Sequence, residues 1–179
     1  MGVSSEVKAV FLDRDGVLNK PVIVNGKPYP PKSLNELEIL EGVKEGLEQL
    51  SELNLLLIVV TNQPDVARGL TTAKVVDEIN NNLKQKLLID DIFCCMHDNS
   101  DNCECRKPKP GLIFDAAKKW DIDLTSSFMI GDRWKDVEAG RRAGLKTILI
   151  EHQYKEKYDK PDFTCHNFLE AVNTIKSLV

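Results

Sequence analysis

Apolar runs of strand length, unbroken by polar residues, recur along this chain and alternate with segments of helical periodicity. Lys8-Ala9-Val10-Phe11-Leu12 is one such run, and Leu55 to Val60 is the longest. Continuous hydrophobicity predicts strands buried on both faces, the condition of a parallel sheet covered by helices. Strands are expected over 8–12, 55–60, 91–96, 127–130 and 146–150. Between them, apolar spacing predicts helices over 42–53, where Val43, Leu47, Leu50 and Leu53 share a face, and over 71–87, 111–120, 137–143 and 169–178. Thr71 or Thr72 is the expected cap of the second helix. Pro108 and Pro110, which a helix interior excludes, lie just ahead of the third. The expected fold class is α/β: one Rossmann-like domain over 1–179, with a mainly parallel sheet between helices. The irregular stretch 20–37, with prolines at 21, 28, 30 and 31, is too long for a plain connection and is usually functional or mobile in a compact domain.

Composition narrows the function classes. A chain of 179 residues with 42% hydrophobic and 29% charged residues can bury a sizeable core. The net charge of −4 argues against the basic stripe of a nucleic-acid or anionic-membrane binder. No apolar run approaches the ~20 residues needed to span a bilayer. Met1 to Lys8 carries Glu6 and no apolar stretch of signal-peptide length. A cytoplasmic monomer is therefore expected, with no nucleic-acid or membrane partner. Four of the five cysteines fall within Cys94 to Cys105, a density that reads as a metal loop over 94–107 rather than a disulfide framework.

The polar residues at the strand ends carry the chemistry. Asp13 follows the first strand, Thr61 the second, and Gly131-Asp132 the fourth. In open parallel sheets the ligand crevice lies beyond the carboxyl ends of the strands, so these clusters are expected to converge. Asp13 and Asp15 are two apart in an extended segment and can face the same side. Gly16 then permits a sharp turn. One carboxylate can attack phosphorus while its neighbour donates and later accepts a proton. Asp132 and Asp136 add acidic oxygen for Mg²⁺, Thr61 offers a hydroxyl and backbone N–H groups to a phosphate, and Lys107 offers a fixed positive charge. Any one such aspartate is as readily a turn former or a helix cap. The set in this order points to an enzyme.

Cys95-x-His97-x₅-Cys103-x-Cys105 offers three sulfurs and one imidazole, the closed tetrad of a structural Zn²⁺ site. Cys94 rivals Cys95 as first ligand. The two point to opposite faces of a strand, and Cys-x-His favours Cys95 because it brings two ligands to one side. Cys94 and Cys165 then read as small buried hydrophobes. Reduced, unliganded thiols are the competing reading of the tetrad. Zinc here would pin the loop that ends at Arg106-Lys107.

Together, Asp13-x-Asp15-Gly16-Val17, Thr61-Asn62, Lys107 and Gly131-Asp132-x-x-x-Asp136 resemble the haloacid dehalogenase superfamily of aspartyl-nucleophile phosphatases across nearly the whole chain. The resemblance implies Asp13 as nucleophile, Asp15 as general acid/base, and Thr61 and Lys107 as holders of the transferring phosphate. It implies Mg²⁺ on the Asp13 carboxylate, the Asp15 backbone carbonyl and Asp132, with Asp136 in support. Cys-x-His…Cys-x-Cys-Arg-Lys-Pro and Thr61-Asn62-Gln63 are similar to the zinc-containing branch of heptose-bisphosphate and histidinol-phosphate phosphatases. Members of the superfamily often carry a cap, but the intervals from Asp13 to Thr61 and from Thr61 to Lys107 are each filled by a loop, a helix and a strand. The site should therefore be open and roofed by loops 20–33 and 63–69 and by the zinc loop. Arg68 and Arg106 are the cations placed to grip a second phosphate, Asn19 and Tyr29 are placed to bind hydroxyls, and Asn62 and Gln63 are expected to join Thr61 in contacting phosphate or substrate. Gly26-Lys27-Pro28-Tyr29-Pro30-Pro31 and Gln63 to Gly69 resemble heptose-phosphatase relatives, so a sugar bisphosphate leads as substrate. Histidinol phosphate is the alternative that the short zinc-loop spacing suggests. A polynucleotide 3′-phosphatase and a non-catalytic zinc-stapled binding module remain the other readings.

Overall fold

The computed structural model describes residues 7–152 and 160–179, so the leader reading of Met1 to Glu6 lies outside the described residues. Six strands form one parallel sheet in the order β5-β4-β1-β6-β7-β8, from Ala9–Leu12 (β1), Leu56–Asn62 (β4), Asp91–Cys95 (β5), Phe128–Gly131 (β6), Lys146–Ile150 (β7) and Phe163–Cys165 (β8). The chain leaves β1 toward β4 and β5, then crosses back to place β6 on the other side of β1. That reversal opens a crevice beyond the carboxyl end of β1, between β4 and β6.

Strand β1 shows why continuous apolar runs are needed here. Val10 and Leu12 pack on one face with the helices Val43–Ser51 (α1), Ala73–Lys86 (α2) and Phe168–Lys176 (α5). Ala9 and Phe11 pack on the other with Gly111–Trp120 (α3) and Trp134–Ala143 (α4). All four side chains are fully buried, and each large one contributes ~1.5–3 kcal/mol by leaving water. Thr72 caps α2, its hydroxyl accepting from the Val75 N–H at 3.3 Å. No helix among the described residues is long and apolar enough to cross a membrane.

Two features differ from the sequence expectation. The stretch 20–37 is not irregular throughout: Val22–Val24 (β2) and Lys27–Tyr29 (β3) form an antiparallel hairpin, followed by a 3₁₀ turn at Leu34–Glu36. The turn is Asn25-Gly26, both with positive φ (51° and 74°), the geometry that a two-residue hairpin loop requires. Pro28 is tolerated because β3 pairs on one edge only. The second addition is β8, a three-residue edge strand too short to show a pattern of its own.

Candidate active site

Past Leu12 the β-ladder continues for one residue, the Asp13 N–H donating to the Ile130 carbonyl at 3.0 Å. This fixes the Asp13 backbone at the crevice floor. Lys107 crosses beneath it: Nζ donates to Asp13 Oδ1 at 2.8 Å and to the Val60 carbonyl at 2.8 Å, and pairs with Asp136 Oδ1 at 2.6 Å. One ammonium thus ties the ends of β1 and β4 to the first turn of α4. Burial disfavours its charge, but Asp13 and Asp136 outweigh burial and hold the Lys107 pKa above its ordinary value. Asp13 moves up to about 6, because burial and then the neighbouring Asp136 carboxylate oppose its ionisation more than Lys107 favours it.

Asp15 sits at the cavity edge, its carboxylate held from three directions. Asn19 Nδ2 donates to Oδ1 at 3.0 Å, Gln63 Nε2 to Oδ2 at 2.7 Å, and the Arg14 guanidinium approaches both oxygens at 3.1–3.3 Å. Two expectations are corrected here. Asn19 is fully buried under Asp15, so it contacts Asp15 and not the hydroxyls of a ligand in the cavity. Gln63 is likewise buried, joining Asp15 to the Thr61 hydroxyl (2.9 Å). Thr61 lies at the end of β4, 1% exposed, beneath the floor. Asn62 grips the main chain of Lys107 from both sides, donating to its carbonyl at 3.0 Å and accepting from its N–H at 3.1 Å.

The carboxylates of Asp13, Asp132 and Asp136, all buried, can bring one oxygen each to within 4.8 Å of one another. A hard divalent ion such as Mg²⁺ prefers such a set of oxygens, and a cation would relieve the mutual repulsion that raises Asp13. Asp136 Oδ2 also accepts from the N–H groups of Asp132 (3.2 Å) and Arg133 (3.1 Å), which orients it at the start of α4. The two glycines of these motifs are required by proximity. Gly16 has φ +95°, and a Cβ there would collide with the Asp132 carboxylate; one at Gly131 would collide with Asp136. The donor set of Asp13, Asp132 and Asp136 therefore fits a hard divalent cation such as Mg²⁺.

Above this floor is a cavity of about 690 Å³, lined by Asp13, Asp15, Asn62, Lys107 and Asp136 below and by the hairpin, Arg68 and Arg106 above. Tyr29 lines it from β3. Arg106 reaches in from the 94–107 loop, Nε donating to Asn99 Oδ1 at 2.9 Å and Nη1 to the His97 carbonyl at 3.3 Å. Arg68 is already committed to carboxylates, Asp98 at 2.6 Å and Asp65 at 3.3 Å. Lys27, Asn99, Arg133 and Lys135 also line the cavity and were not singled out from the sequence. Arg133 had a readable signal, adjacent to Asp132 at the N-cap position of α4. Lys27 lies in the 20–33 segment expected over the site, but nothing in its own type or spacing singled it out.

Cys95, His97, Cys103 and Cys105 form the second cluster. Cys95 and Cys103 sulfurs are 3.7 Å apart, Cys103 and Cys105 3.4 Å, Cys95 and Cys105 3.1 Å; His97 Nδ1 lies 3.6 Å from Cys95 and 3.2 Å from Cys105. A tetrahedron with Zn–S bonds of ~2.3 Å has edges of about 3.8 Å, so the four atoms lie at or slightly inside the spacing zinc imposes. Burial works against the Cys103 thiolate, yet donation from Cys105 and from the Arg106 N–H brings its pKa down to about 7. Cys94, on the opposite face of β5, is pushed up to about 11 by burial. The sulfur that joins the cluster is that of Cys95.

Comparison with known proteins places this architecture. Residues 104–171 match the Hydrolase_like family model, described as HAD-hydrolase-like. Over 175 residues, covering 94% of this chain and 98% of the relative, the sequence is 37% identical to the D-glycero-beta-D-manno-heptose-1,7-bisphosphate 7-phosphatase of Helicobacter pylori. The chain belongs to the heptose-bisphosphate phosphatase family of HAD-type hydrolases. It is also 39% identical to a D-glycero-alpha-D-manno-heptose-1,7-bisphosphate 7-phosphatase of Photorhabdus laumondii, over 82% of this chain and 83% of that protein. The D,D-heptose 1,7-bisphosphate phosphatase of B. bronchiseptica, solved with magnesium and phosphate, superposes with a TM-score of 0.83 at 27% identity, covering 97% of this chain and 100% of that one. The α/β fold, the resemblance drawn from the motifs and the assignment as a phosphoric ester hydrolase agree with these relatives.

Proposed function

We propose that this chain is a Mg²⁺-dependent D-glycero-D-manno-heptose 1,7-bisphosphate 7-phosphatase working through an aspartyl-phosphate on Asp13. The observation that carries the reading is the Lys107 ammonium bridging Asp13 and Asp136 at the floor of an open cavity. It supplies a nucleophile, a fixed cation and a cluster of metal-ligating carboxylates at one point. In the first step an Asp13 oxygen bonds to phosphorus as the bond to the sugar oxygen breaks, and Asp15 gives that oxygen a proton. In the second, water attacks the phosphoryl group, Asp15 takes its proton, and inorganic phosphate leaves with Asp13 regenerated. Lys107 and the Thr61 segment neutralise and orient the phosphoryl oxygens. Mg²⁺, held by Asp13, the Asp15 carbonyl and Asp132 with Asp136 supporting, supplies further neutralisation when bound.

The site residues named here all come from one chain, with the hairpin, the 63–69 turn and the 94–107 loop over them, which supports a capless monomer. Arg106 and Tyr29 face the remote end of the substrate, where Arg106 would take the second phosphate and Tyr29 a hydroxyl. Zn²⁺ on Cys95, His97, Cys103 and Cys105 would hold the loop whose next residues are Arg106 and Lys107. The relatives that act on heptose bisphosphate support the substrate. The test is kcat/KM measured side by side on both anomers of heptose 1,7-bisphosphate, other sugar phosphates and histidinol phosphate. A heptose bisphosphate should lead by at least about tenfold, the discrimination one charge-assisted contact supplies. A preference for histidinol phosphate overturns the substrate and leaves the mechanism standing.

A further inference from the structure

Arg14 stands between the two aspartates of the first motif, and the structure gives it a place that the reaction as described leaves unused. It is the largest fully buried side chain among the described residues. A guanidinium stays charged at any working pH, and a buried charge is tolerated only when paired and hydrogen-bonded. Nη2 and Nε approach the Asp15 oxygens at 3.1–3.3 Å, while Nη1 donates to Asn80 Oδ1 at 2.8 Å. Asn80 lies on the buried face of α2 with Val76, Ile79 and Leu83. An asparagine at a core position of an amphipathic helix conflicts with the helix's own pattern and needs a partner. Arg14 is that partner, across 66 positions of sequence.

We infer that Arg14, anchored by Asn80, is the positioning residue that fixes Asp15 for proton transfer to the leaving oxygen. The permanent charge of Arg14 draws the Asp15 carboxylate to one side, and α2, packed in the main core, prevents the guanidinium from following a moving Asp15. Asn19 and Gln63 complete the cradle from the other directions. A general acid misplaced by about 1 Å loses much of its effect, so an anchor in the core matters more here than at a surface carboxylate. The inference rests on the role proposed for Asp15.

The test uses the sensitivity of kcat/KM to the leaving group. This ratio reports the steps through leaving-group departure, so an ester that needs a proton is compared with one that does not. The substrates are a primary alkyl phosphate and p-nitrophenyl phosphate, the proteins wild type, Asp15→Asn, Arg14→Lys and Asn80→Leu, all loaded with Mg²⁺. Arg14→Lys is expected to lower kcat/KM about 10–100-fold on the alkyl ester and by less than about threefold on p-nitrophenyl phosphate, a partial loss of the ~10²–10⁴-fold that general acid catalysis contributes. Asn80→Leu, which keeps the branched shape and removes the acceptor, should show the same asymmetry at about 3–10-fold, and it carries the test alone if Arg14→Lys does not fold. Equal losses on both esters, no loss, or a gain in either folded variant overturns the inference while Asp15→Asn retains the asymmetry. If Asp15→Asn itself shows no asymmetry, the role of Asp15 fails first, and this inference with it.

Discussion

The floor and the roof of the cavity are built differently. On the floor, Asp13, Lys107 and Asp136 are buried and multiply bonded, and each is fixed by a strand end or a helix start. On the roof, the hairpin is largely exposed, Ile23 at 53% and Val24 at 47%, and it presents Tyr29 of β3 to the cavity. Charge buried in a rigid frame is preorganised for a transition state, whereas an exposed loop contributes recognition at lower energy per contact. Catalysis and selectivity therefore separate by region: floor substitutions should change kcat, and roof substitutions KM and substrate choice.

Four substitutions test whether floor and roof act separately. Asp13→Asn should lower kcat by at least ~10⁴-fold on every phosphate ester, as loss of a nucleophile does, with the fold retained by circular dichroism. Activity close to wild type would show that the floor is not the reacting site. Lys107→Met should cost about 10²–10³-fold in kcat, the scale of removing one preorganised charge from a reacting oxyanion; it also leaves Asp13 and Asp136 facing each other, so thermal stability should fall. Arg106→Ala should raise KM for a bisphosphate by about tenfold, the worth of one charge-assisted bond, with kcat and monophosphate turnover little changed. A kcat effect as large as that of Lys107→Met would merge roof with floor. Arg68→Ala should change KM by about twofold or less, since its guanidinium already serves Asp98 and Asp65 at the surface.

The zinc loop joins the two regions and offers a fifth measurement. Elemental analysis should find about one zinc per chain, as four closed ligands imply, and Cys103→Ser should lose it together with stability. Because Cys105 leads directly into Arg106 and Lys107, the same variant should affect both KM and kcat. Full zinc in Cys103→Ser would show the tetrad to be misassigned.

The hairpin shows how a readable signal was masked. Asn25-Gly26 between Val24 and Lys27 is a strong two-residue turn, yet the four prolines of 20–37 outweighed it in a reading by composition. Asn19 misled for the opposite reason: an asparagine in a loop near the site reads as a ligand contact, and only packing shows that it turns inward. Arg68 reads as a free cation until the turn at 63–69 brings it against Asp98.

Features that depend on local spacing are legible in the amino-acid order. Continuous apolar runs specified parallel strands, because strands covered on both faces have no polar side to present. Asp13-x-Asp15-Gly16 and Cys95-x-His97…Cys103-x-Cys105 placed chemistry on single short segments, so their pairing needed no knowledge of the fold. The tertiary structure alone decided what is non-local: that Lys107 reaches Asp13 across 94 positions, that Asn62 holds Lys107 by its backbone, and that Asn80 of α2 meets Arg14. Side chains far apart in sequence become partners only when sheet order and helix packing fix their directions, and no local pattern encodes that.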